Sequence, residues 1–202
     1  MASGLGHLRF RCTGCGNCCR SLRVPLTTTD VRRLVARTGL DAAQIVDWLP
    51  SAEVDLTGEP GSLVVLDHPE RRVLMALAQL DGACRFLAAD ERCGVYDARP
   101  GNCRLYPFDP SFGRRGGVRR LRLLSGSECD YARDGDNDPH QLREADLQRW
   151  AEHRTYLTQI ETWNRLQRRR SLLGRRLQSA REFLEFLGFP ARDLPVSMNR
   201  EF

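Results

Sequence analysis

Eight residues near the start of the chain hold half of its cysteines: Cys12-Thr13-Gly14-Cys15-Gly16-Asn17-Cys18-Cys19, the pattern C-x2-C-x2-C-C. Gly14, Gly16 and Asn17 are turn residues that tolerate positive φ, so the segment is expected to fold back on itself and not to run as an ordinary helix or strand. Sulfurs gathered in this way are soft donors that select zinc, copper(I) or iron–sulfur clusters over oxygen-loving cations. Free cysteine is also a common small hydrophobe of cores, but near-adjacent cysteines spaced by glycines fit that use badly. Cys18 and Cys19 are neighbours whose side chains diverge, to opposite faces in a strand or by roughly 100° on a helix. One small tetrahedral ion takes both only with strain, so two neighbouring centres or a bridging sulfur are expected. One division puts Cys12, Cys15 and Cys18 with one distant cysteine, and Cys19 with the rest.

The rest are Cys84, Cys93, Cys103 and Cys129. Each lies in or beside an expected turn or helix start. Pro100 at a helix start puts Cys103 in the first turn, where backbone N–H groups and the helix dipole are expected to lower a thiol's pKa. All eight cysteines, Cys12, Cys15, Cys18, Cys19, Cys84, Cys93, Cys103 and Cys129, are candidate metal ligands. Eight in 202 residues are too few for a disulfide-stapled mini-protein. Residues 1–11 lack a signal-peptide apolar run. The longest apolar stretch, Val73 to Ala78, falls far short of the roughly 20 residues a span needs. A cytoplasmic chain with reduced thiols and no membrane partner is the expectation.

Along the chain, Thr29 or Asp30 is expected to open a helix closed by Gly39, and Asp41 to Leu49 a second helix ended by Pro50. Leu63–Leu66 and Val73–Leu80 read as a hairpin turned at residues 67–71, and Val118–Leu124 as a half-exposed strand preceded by a flexible basic loop with Gly113, Gly116 and Gly117. A polar linker spans Asp134–Asp138. Asp138-Pro139-His140-Gln141 then starts a long helix to about Arg170, with Leu147, Trp150, Ala151, Leu157, Ile160 and Trp163 as its apolar stripe. A last helix covers about Leu173–Leu187. The fold expected is α+β and mainly helical: a metal-stapled cysteine-rich domain with a short β-hairpin over 1–133, then a C-terminal helical pair over 138–202.

Every basic residue is Arg, which excludes lysine Schiff-base or P-loop chemistry in this chain. Residues 139–202 hold 12 Arg against 8 acidic residues, so most of the +5 charge sits in the tail. Two tetrathiolate sites of about −2 each would bring the chain to about +1, and nucleic acid is therefore disfavoured as a partner. The run Arg168-Arg169-Arg170 with Arg175 and Arg176 reads first as a solvated face.

The motifs C-x2-C-x2-CC, then C-x-F-L at Cys84, C-x-V-Y-x-x-R-P at Cys93 and C-R-x-Y-P at Cys103, resemble the CxxCxxCC family of zinc- or iron-chelating proteins, the YkgJ-type cysteine-cluster proteins. The likeness covers about Phe10 to Cys129, and Thr27–Asp30 looks like that family's Leu-Thr-x-x-Asp helix start. It implies a metal centre often described as an iron–sulfur oxidoreductase, and its relatives include flagellin lysine methylases. No Gly-rich nucleotide loop supports a transferase here. C-x2-C-x2-C is also the three-ligand run of bacterial ferredoxins, and no second C-x2-C pair of a zinc ribbon is present. The cofactor expected is thus an iron–sulfur cluster or iron, with zinc as the alternative, and the role redox chemistry with an unnamed redox or protein partner. The rival is a zinc-stabilised interaction module with an Arg-rich tail. Arg11, Arg20, Arg85 and Arg104 adjoin cysteines and can donate to sulfur or to a carboxylate. Among the residues expected to touch the centre, Arg99, Arg104 and Tyr96 stand out because the family motifs contain them.

Overall fold

The structure is a computed structural model that describes residues 9–54, 60–112, 118–124 and 129–190. In chain order these form β1 (Arg11–Cys12), α1 (Asn17–Ser21), α2 (Thr28–Thr38), α3 (Ala42–Ile45), β2 (Val46–Pro50), β3 (Val64–Val65), β4 (Arg72–Leu77), β5 (Gln79–Leu80) and β6 (Ala83–Cys84). They continue with α4 (Gly101–Leu105), β7 (Phe108–Phe112), β8 (Val118–Leu123), β9 (Tyr131–Ala132), α5 (Pro139–Leu172) and α6 (Ala180–Phe186). The class is α+β and mainly helical, with small sheets.

Two reciprocal caps organise the first helices. Thr27 accepts from the Asp30 N–H while Asp30 accepts from the Thr27 N–H, so α2 starts before Thr29, and Gly39 closes it at φ 72°. Asp41 and Gln44 make the same exchange at α3. That helix stops at Ile45, not Leu49. Val46–Pro50 instead pairs antiparallel with β4 from Val46↔Leu77 to Pro50↔Val73. The backbone groups of Val46 to Leu49 find partners on β4, and Val46 and Leu49 are buried by it. The expected hairpin forms between β3 and β4, giving the order β2-β4-β3. Its second strand breaks after Leu77: Gln79–Leu80 turns through Asp81 and Gly82, both at positive φ, to pair with β6. Strand β8 pairs with β7, a partner that the sequence pattern did not announce. The expected Gly113–Gly117 loop lies outside the described residues.

Asp138 caps α5 by accepting from the His140 N–H, with Pro139 at the first helical position. The expected stripe is only half covered. Ile160 and Trp163 are buried, whereas Leu147 and Trp150 are 49% and 43% exposed and Ala151 is also exposed. The second half of α5 crosses the sheet edge. Trp163 Nε1 donates to the Val65 carbonyl at 2.9 Å, Val65 N–H donates to Asn164 Oδ1 at 2.9 Å, and Asn164 Nδ2 donates to the Leu63 carbonyl at 2.8 Å. These bonds occupy an otherwise open strand edge. Gly174, at φ 64°, ends the helical run, and α6 begins only at Ala180, where Ser179 and Glu182 form a capping box. The last helix is therefore shorter than Leu173–Leu187. One apolar core joins Val31 and Leu34 of α2, Ile45 of α3, Met75 of β4, Trp163 of α5 and Phe183 of α6. The C-terminal helices thus share their core with the segment that carries the cysteines.

Candidate metal centre

The cysteines are brought together by short pieces of structure. Pairing of β1 with β9 sets Cys12 opposite Tyr131, and Thr13 Oγ1 donates to the Asp130 carbonyl at 2.6 Å. Phe10 packs its ring 5.0 Å from both Phe108 and Tyr131. Residues 134–138, expected as a linker, are tied down instead. Arg11 pairs with Asp134 at 2.8 Å, Asn137 Nδ2 donates to the Phe10 carbonyl at 2.6 Å, and a Cβ on Gly135 would fall 1.8 Å from that same oxygen. This seam delivers Cys12 and Cys15 to the side of Cys129.

Gly14 and Gly16 take positive φ as expected, but Asn17 does not; it opens α1, so Cys18 and Cys19 sit on a short helix after all. Gly16 is favoured by its φ of 70°, a conformation that L side chains rarely adopt, and a Cβ there would also crowd the ends of the paired Arg20 and Glu91 side chains. Helix α1 packs against β6, which carries Cys84. The Phe86 N–H donates to Cys84 Sγ at 3.5 Å, and the Val95 N–H donates to the Cys93 sulfur. In C-x-F-L and C-x-V-Y the residue two places after cysteine therefore aims its amide at the sulfur, which favours the thiolate. Cys103 lies on α4, whose first N–H, on Gly101, donates to Asp30 Oδ1 at 2.9 Å. The Leu-Thr-x-x-Asp segment thus fastens the Cys103 helix to the start of α2.

All eight cysteines are free and line one cavity of about 1220 Å³. Cys18 hydrogen-bonds to Cys19, and Cys19 to Cys84. Cys129 feels Cys15 and Cys12 and hydrogen-bonds to Cys15. The hydrogen bond to Cys19, then burial, holds the Cys18 thiol far above the usual range. The bond from Cys18 lowers Cys19, yet its bond to Cys84 and burial outweigh that and push it up to about 11. Cys84 is lowered, chiefly by the hydrogen bond from Cys19. Burial raises Cys93, raises Cys129 to about 11 and raises Cys103 to about 12. For Cys103 this reverses the expectation of a lowered thiol, because burial there outweighs the start of a short helix.

Arg99 is close enough to lower Cys18, Cys93 and Cys103. Its guanidinium carbon stacks 3.7 Å from the Tyr96 ring centre, and its Nε donates to the Tyr96 carbonyl at 3.0 Å. Arg104 donates to the carbonyls of Arg99 at 2.9 Å and Asp97 at 3.1 Å, which braces the turn carrying Arg99. Arg11 and Arg20 go to carboxylates, and Arg85 stands 5.7 Å from the Phe86 ring. Among the described residues no histidine lines the cavity.

Sequence reasoning missed two contributors. Asp30, 3% exposed, also pairs with Arg33, which reaches Glu152 of α5 at 2.8 Å. Helix α5 supplies a cavity wall through Leu142, Asp146, Arg149 and Trp150, and Arg149 packs so near α4 that a Cβ on Gly101 would lie 3.0 Å from its Cγ. The Leu-Thr-x-x-Asp motif was the available signal for Asp30; nothing in the sequence announced the wall.

Among the described residues, no group of three or more His, Cys, Asp or Glu side chains could hold an ion as it stands. The thiols interact pairwise instead, Cys18 with Cys19, Cys19 with Cys84 and Cys15 with Cys129. Their donor chemistry nevertheless fits a soft metal: sulfur alone, amides aimed at two of the sulfurs, and an arginine facing three. Closing the set on an ion requires loss of thiol protons and movement of the sulfurs toward one another.

No helix among the described residues is long and apolar enough to cross a membrane. No curated protein and no solved structure matches the chain. A family model described as "Putative zinc- or iron-chelating domain" matches residues 11–130, a span that contains all eight cysteines and stops before α5. The chain belongs to the CxxCxxCC family.

Proposed function

We propose that the cavity holds two adjoining all-thiolate centres, with Cys12, Cys15, Cys18 and Cys129 at one and Cys19, Cys84, Cys93 and Cys103 at the other. The observation that carries this reading is the convergence of eight free cysteines from distant segments on one cavity. The contact pattern supports Cys12, Cys15 and Cys129 on one side, since Cys129 senses both, and Cys19, Cys93 and Cys103 on the other, while Cys18 is sensed from both sides, by Cys129 and by Cys93 and Cys103. The contact between Cys18 and Cys19 sits at the boundary, so the two centres are neighbours.

Iron, as an iron–sulfur centre, is the metal proposed, and electron transfer to a redox partner is its use. Such a centre supplies one-electron chemistry at a potential tuned by hydrogen bonds and nearby charge. The chain contributes the N–H bonds to Cys84 and Cys93 and the guanidinium of Arg99. Arg23, Arg92, Arg99 and Arg104 line the cavity and have no carboxylate partner among the described residues. These four cations match the charge of about −4 that two tetrathiolate sites carry. The cytoplasm is the compartment proposed, because its reducing poise keeps thiols available. Anaerobic isolation of the full chain tests the reading: iron with acid-labile sulfide and charge-transfer absorption are expected. A colourless protein holding zinc alone replaces the redox role with a zinc-stabilised module.

A further inference from the structure

The end of α5 farthest from the cysteines carries a feature that the metal centre does not use. Leu172 and Leu173, where the helix stops, are 79% and 58% exposed. They sit at the turn closed by Gly174 in the left-handed region, with most of their surface in solvent. Leu166, 40% exposed, lies seven residues before Leu173 on the same helical face. Arg168 and Arg169 stand one turn before this leucine pair and Arg175 just beyond it, all exposed. Among the described residues none of the three has a carboxylate partner, whereas Arg165 and Arg176 are paired with Glu161 and Glu182.

Unpaired cations around an exposed apolar pair match one surface chemistry well. Leucines exposed at a helix end enter the headgroup boundary of a bilayer, and arginines beside them stay at headgroup level, where their stems lie along apolar surface and their charge meets lipid phosphate. We propose that this tip, Leu172 and Leu173 ringed by Arg168, Arg169 and Arg175, docks the protein peripherally on an anionic phospholipid surface. Arg165 and Arg176 keep their glutamate partners and belong to the fold. A nucleic acid uses the arginines and gains nothing from the leucines; that difference separates the two partners.

Sedimentation of the full, metal-loaded chain with vesicles tests the assignment. Binding to phosphatidylglycerol vesicles is expected to exceed binding to phosphatidylcholine vesicles by tenfold or more and to weaken as salt rises. The triple variant R168Q/R169Q/R175Q is expected to lose affinity on the order of a hundredfold, from three basic side chains at an anionic surface. L172S/L173S, with all charges intact, is expected to lose tenfold or more. All five positions are exposed, and circular dichroism and metal content verify that each variant retains the fold. Equal binding to both vesicles, or no binding to either, overturns the proposal. So does an L172S/L173S variant that binds as well as the parent, which marks the patch as a general polyanion site.

Discussion

The two sides of this molecule are held together by different means. On one side, Trp163, Phe183, Ile160, Met75 and Leu34 interlock, each at 1% exposure or less. On the other, β1, β6 and β9 are two residues long, α1 and α4 five each, and every cysteine except the exposed Cys12 is only partly buried. The first side closes because apolar area leaves water. The second has little such area to remove, and its geometry depends on glycine turns, single hydrogen bonds and whatever its sulfurs bind. In this chain the cysteine scaffold stays small beside a core that it shares with the C-terminal helices.

The largest break in this contrast is expected from Trp163→Ala. It removes a buried indole, its bond to the Val65 carbonyl and its packing on Phe183, and costs about 3–5 kcal/mol. Denaturant titration should show one lower midpoint for the whole chain, with the metal lost in the same transition. Asp30→Ala comes next. It leaves the Gly101 N–H without its partner, removes half of the α2 capping box and takes one of the two carboxylates from Arg33, which keeps Glu152, for about 2 kcal/mol. Because Asp30 bridges the two sides, metal content should fall in parallel with the denaturant midpoint, while Arg33→Gln should lower stability with a smaller loss of metal.

Chelation acts on one side alone. Amide exchange is expected to speed by about tenfold or more over 11–24 and 129–137 and to change by less than about twofold across β4 and the second half of α5. Uniform acceleration would refute the separation between the two sides. The smallest effect is at Glu182, whose bond to Arg176, followed by the Ser179 N–H, holds its carboxyl down to about 2 from an ordinary 4.5. A depressed folded-state pKa contributes stability that is complete above the unfolded value and lost as pH falls through the folded one. The parent should therefore lose stability between about pH 4.5 and 2 by a step that Glu182→Gln lacks. At neutral pH that variant should cost about 1 kcal/mol, a capping-box contribution.

Features whose causes lie within a few residues were legible in the sequence. Gly14 and Gly16 turn the cysteine loop, Asp41 with Gln44 caps α3, Gly39 closes α2, and Asp138-Pro139 starts α5. These are contests between a side chain and the nearest backbone groups, and neighbours in sequence decide them. The thiol-rich composition and the motifs at Cys84, Cys93 and Cys103 likewise pointed to metal-chelating chemistry without any coordinates.

Tertiary structure decided whatever depended on a partner far along the chain. Residues 46–49 carry apolar positions that suit a helix, and they become a strand because β4 offers an unpaired edge. Leu147 and Trp150 repeat at helical spacing like Ile160 and Trp163, yet the core covers only the second pair. The Cys103 thiol is governed by burial more than by its helix, and α5 becomes a wall of the cysteine cavity through Asp146 and Arg149. Spacing in a sequence states which faces a segment can bury; which one is buried is settled by the surfaces that meet it.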